Sequence, residues 1–244
     1  MRPSLLRSVL TAVLLALAAS QSAQAGAPLA EFEVAAEAVA AHNRVALGYL
    51  RTGNTDLATL EVERLRTAWN ALVDRFGNDR PDAFASERYA MTLADIGGRL
   101  AAAETLLRNG QPEAAETALA GIREALSRLR RESGVTVLAD CVLDANAAMA
   151  ALDVLDRAPL DWSASDTAAR IAAAGDQYRG TLERCDGMAP PAVKTNPDFR
   201  RLIDGALASL TLVPKAVAER DGELFHRIVI ELRAFDNLLA FRFG

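Results

Sequence analysis

The chain is poor in the side chains that do most enzyme chemistry. It has two histidines and two cysteines in 244 residues, and aromatic residues make up 5% of its composition. With His42 and His226 as the only imidazoles, a histidine-dependent catalytic constellation has little material to draw on. A G-x-S-x-G elbow, an H-E-x-x-H helix, a glycine-rich phosphate loop and a strand-led dinucleotide fingerprint are all missing, so the enzyme classes that need them are disfavoured. The absence of C-x-x-C-H excludes covalently attached haem. No stretch approaches the ~20 consecutive apolar residues of a membrane-spanning helix. Positive charge is short as well: 27 basic residues face 32 acidic ones, and Lys194 and Lys215 are the only lysines. That balance argues against binding to nucleic acid or to anionic membrane surfaces.

What is present begins with an address. Arg2 and Arg7 form a positive n-region, Val9 to Ala19 is an apolar run, and Ala23-Gln24-Ala25 followed by Gly26 is an A-x-A cleavage signature. Residues 1–25 therefore read as a secretory signal peptide. Because it is alanine-rich and carries no lipobox cysteine, the expected destination is the periplasm of a Gram-negative bacterium. Removing 25 residues, two of them arginine, leaves 219 residues with a net charge of −7 and no expected membrane span.

The mature composition is all-α: alanine and leucine dominate, and apolar residues recur at spacings of three and four. Periodicity and stop signals place eight helices, at 29–51, 55–76, 83–108, 112–132, 136–157, 164–185, 197–219 and 221–242. The turns between hairpin partners contain Gly53, Gly110, Asp161 and Gly222; the three glycines suit the left-handed position that ends a helix, and Pro112 suits a first helical turn. Short connections make antiparallel neighbours. Pro214 inside the seventh segment predicts a bend or break near Leu210.

The hairpins read as a duplicated pair. Gly53 aligns near Asp161 and Gly110 with Gly222, while Ile122, Leu129 and Gly134 fall 110 residues before Leu232, Leu239 and Gly244. The expected architecture is two tandem up-down four-helix bundles, residues 26–134 and 135–244, resembling the cytochrome b562 and cytochrome c′ arrangement by analogy only.

Cys141 and Cys185 lie equidistant from residue 163, inside the turn between the fifth and sixth helices, and a hairpin sets such residues side by side. A disulfide is expected in an oxidising compartment. A haem or a transition metal would need convergent ligands. In the first helix Val34, Ala38, Val45 and Tyr49 read as the apolar face and include His42, the one metal-ligand candidate. Met91 and His226 fall on the far sides of their helices, which leaves no second axial ligand. Glu61, Glu63, Glu87, Glu104, Glu113 and Glu116 read as ion-paired solvent faces.

The last helix is the least ordinary. Beyond a core stripe of Phe225, Ile228, Leu232, Phe235 and Leu239 it carries Ile230, Ala234, Leu238 and Phe241 on a second side. That side suits packing between bundles, a homodimer surface or a docking site for another protein. The proline-rich loop from Asp186 to Lys194 is a further candidate contact. The expected function is therefore binding or scaffolding by an exported, non-enzymatic protein whose partner is another periplasmic protein or itself. No cofactor is expected. The alternative is a periplasmic carrier of haem or a transition metal in the interior of the first bundle.

Overall fold

A computed structural model describes residues 27–157 and 159–244. The expected signal peptide lies outside them. Every regular element among the described residues is helical, and the chain divides into two compact units between Val135 and Thr136.

The first unit contains α1 (Ala27–Arg51), α2 (Thr55–Phe76), α3 (Ser86–Arg108) and α4 (Pro112–Glu132). α1 and α3 each pack on α2 and α4. The clearest sequence-to-fold step is α4. Its residues Ala115, Leu119, Ile122, Leu126 and Leu129 recur every three or four positions and all are buried, each large side chain contributing roughly 1.5–3 kcal/mol. Glycine ends the preceding helix: Gly110 at φ 69° bonds to the Leu107 carbonyl while Gln111 reaches back to Leu106, and Pro112 opens the next.

One end of this unit is closed by aromatic rings. Phe32 meets Phe76, Phe84 and Tyr89 at centroid distances of 5.6, 5.2 and 5.8 Å, and the Tyr89 hydroxyl donates to the Phe76 carbonyl at 3.0 Å. Phe84 precedes α3, which begins at Ser86 and not at 83. A turn in which Phe84 N–H bonds Pro81 folds that ring into the core instead of onto a helix.

The second unit contains α5 (Leu138–Asp156), α6 (Thr167–Met188), α7 (Pro191–Lys194), α8 (Pro197–Leu210), α9 (Val213–Glu219) and α10 (Gly222–Phe243). α5 packs on α6 and α10. α8 and α9 each pack on both α6 and α10. The break expected near Leu210 is present, because Pro214 lacks the N–H that would continue the helix and leaves α8 and α9 as separate pieces. The Asp186–Lys194 loop is partly folded, with α7 at its end packed on α8. A disulfide joins Cys141 on α5 to Cys185 on α6, with Cα atoms 5.5 Å apart.

One turn corrects the sequence reading. Gly222 was expected in the left-handed position after α9, but Arg220 occupies it at φ 51° and Gly222 opens α10. The reason is the cap. The Asp221 carboxylate accepts from Leu224 N–H at 2.8 Å, which makes Asp221 the cap and lets the new helix start at Gly222.

Candidate functional site

His42 does not lie where the sequence placed it. The buried face of α1 is Phe32, Ala36, Val39, Asn43, Ala46 and Leu50, whereas Val34 is 74% exposed and Ala38 is also exposed. The expected stripe is therefore rotated by roughly 120° from the real one. In so alanine-rich a helix the two faces differ little in hydrophobicity, and the large end residues Phe32 and Leu50 decide which one packs. His42 sits at the flank, half-exposed, with Nδ1 2.5 Å from Glu61 Oε1 on α2. Glu61 is a second correction: far from a solvent face, it is buried and also bonds Arg64 at 3.0 Å through Oε2. Glu104 and Glu116 do form the expected pairs, with Arg66 and Arg51.

Met91 is 57% exposed, as its helical phase predicts, so His42 and Met91 are not brought together. Among the described residues no three His, Cys, Asp or Glu side chains form a group able to hold a metal. No described helix is long and apolar enough to cross a membrane.

The outer side of α10 is real as a surface feature. Ile230, Leu238 and Phe241 are 48, 43 and 46% exposed, and Ala234 between them is exposed too. The opposite side of the same helix is spent on the core of its unit through Phe225, Ile228, Leu232 and Leu239. On the core side Asp236 is also buried, accepting from Asn146 at 2.8 Å and from the Tyr178 hydroxyl at 3.2 Å. Burial and the neighbouring carboxylate both push the Tyr178 phenol far above its ordinary range.

A cleft of about 560 Å³ opens at the start of α10, where the α5–α6 connection approaches the α9–α10 turn. His226 lines it, with Nδ1 at 2.9 and 3.0 Å from the two oxygens of Asp156, whose side chain is 8% exposed. Trp162 packs over Gly222: a Cβ there would sit 3.7 Å from the indole nitrogen. Leu160, Arg220 and Glu223 complete the lining that matters chemically. No known family, curated relative or solved structure matches this chain.

Sequence reasoning did not find this cleft. Its residues come from the end of α5, the following loop and a helix start, more than 50 positions apart, and only folding brings them together. Two signals were present in the sequence. Glu223 and His226 are three apart and share one helix face, and an arginine stands at 220, just where a helix stops. Both histidines use Nδ1 on a mostly buried carboxylate, which fixes each ring and leaves Nε2 as its other nitrogen.

Proposed function

We propose that this chain is an exported, non-enzymatic binding or scaffolding protein of the periplasm, built as two tandem up-down four-helix bundles that arose by duplication. It engages another periplasmic protein, or a second copy of itself, through the outer side of α10. One observation carries this reading: Ile230, Leu238 and Phe241 stay exposed on a helix whose other side is already filled. Three large apolar residues aligned along one helix are more than scattered surface hydrophobicity requires.

Other observations support parts of it. The Cys141–Cys185 disulfide fits an oxidising compartment. The helix-ending left-handed residues Gly110 and Arg220 lie 110 residues apart, the same interval that separates Gly134 from Gly244.

The test is the oligomeric state and cross-linking profile of the mature protein in periplasmic extract, compared with the double variant Ile230→Asp/Leu238→Asp. The expected result is association of the wild type, lost in the variant with its helical circular dichroism unchanged. Association that survives the double substitution overturns the assignment of this face.

A further inference from the structure

The exposed side of α10 carries a pattern as well as a patch. At about 100° per residue, Arg227, Ile230, Ala234, Leu238 and Phe241 fall within roughly 40° of one line along the helix. All five are exposed. Ala234 stands at the middle, with Ile230 and Leu238 four residues to either side and Arg227 and Phe241 seven to either side. Glu231 and Asn237, also exposed, lie on the two edges of this strip. The spacing belongs to any helix face, but the choice of residues does not. The smallest side chain is central, a large apolar one flanks it on each side, and the two ends are a cation and an aromatic ring.

Such a strip is complementary to itself. A second copy laid antiparallel across it, with the two-fold axis at Ala234, sets residues equidistant from Ala234 opposite one another. Ile230 then meets the partner's Leu238, Arg227 meets the partner's Phe241, and both contacts recur on the other side of the axis. Alanine at the crossing lets the helix axes approach toward the short end of the usual range of about 8–10 Å. Direction follows from charge, because a parallel pairing would oppose Arg227 to Arg227 and Glu231 to Glu231. The remaining arginines of the C-terminal half, Arg233 and Arg242, are held within their own chain by Asp153 and Asp198.

We infer that the occupant of this face is a second copy of the chain, paired through an antiparallel α10–α10 contact centred on Ala234. Ile230 and Leu238 form the apolar layers on either side of the axis, and the Arg227 guanidinium lies over the partner's Phe241 ring at each end. This rests on the assignment of the outer side of α10 as the binding face, and it narrows the partner from any periplasmic protein to the chain itself.

The experiment is sedimentation equilibrium of the purified mature chain over a range of concentrations, joined to oxidative cross-linking of two variants with one added cysteine each. The native cysteines are bonded to one another and do not compete. The expected result is a reversible dimer. Ala234→Cys, at the two-fold axis, should give a disulfide-linked dimer on a non-reducing gel. Glu223→Cys should not, since an antiparallel pair holds those positions about 33 Å apart. Each dimer contains two Arg227–Phe241 contacts, so Arg227→Gln should weaken association by roughly fivefold or more with helical circular dichroism unchanged. Failure of Ala234→Cys to cross-link, cross-linking of Glu223→Cys, or undiminished association of Arg227→Gln overturns the arrangement. A purified chain that stays monomeric at every concentration overturns self-pairing. The face itself is judged separately. It stands if Ile230→Asp/Leu238→Asp removes cross-links to another protein in periplasmic extract, and falls if those cross-links persist.

Discussion

Tyr89 and Tyr178 show what a single buried phenol contributes. Burial pushes Tyr89 up to about 12, with the charge of Arg80 opposing the shift, and Tyr178 goes further through deeper burial and, after that, the Asp236 carboxylate that faces it. A group whose folded value is raised adds stability that is complete below its unfolded value, ~10 for tyrosine, and lost as pH rises through the folded one. Unfolding free energy should therefore decline from about pH 10 to about pH 12. Denaturant melts across that range, with phenolate absorbance recorded in parallel, check this. A flat stability profile, or free ionisation of both rings in the folded protein, would show the two phenols to be solvated. Glu61 carries the opposite lesson at this scale. Its charge made it look like a surface residue, yet His42 and Arg64 supply the partners that let a carboxylate be buried.

At the level of elements, two helix starts carry a side-chain cap, Asn196 before α8 and Asp221 before α10. Asn196 caps α8 by accepting from the N–H groups of Asp198 and Phe199 at 2.9 and 3.3 Å, with Pro197 in the first turn. Asn196→Ala leaves two donors without that acceptor and should cost about 1 kcal/mol, read as a lower urea midpoint with unchanged slope. Faces are a harder matter than ends. The face of α4 was legible because leucine and isoleucine mark it against glutamate and arginine. That of α1 was not, since alanine serves both sides and Asn43, bonded to the Leu119 carbonyl at 3.2 Å, stands in the middle of the buried stripe. For α10 both apolar sides were legible, and folding shows which of them is spent on the core.

For the molecule as a whole, the covalent staple matters most in the unit that holds it. The disulfide spans 44 residues of the second unit, and the chain-entropy treatment gives it about 4 kcal/mol. Reduction should lower the melting temperature of the second unit while the first, which has no cysteine among its described residues, keeps its own transition. Calorimetry with and without a thiol reductant distinguishes this from a single cooperative transition that moves as one.

The amino-acid sequence by itself determined the helical class, the turn positions, the break at Pro214 and the cysteine pairing. Each of these depends on residues close together in the chain or on simple counting away from a turn. The tertiary structure decided what local pattern leaves degenerate: the packed face of α1, the burial of Glu61 against His42, and the encounter of Asp156 with His226. It also decided that Arg220 takes the left-handed turn. These outcomes depend on which distant side chains arrive beside a residue, and a carboxylate or an imidazole is stable in either setting once its partner is supplied.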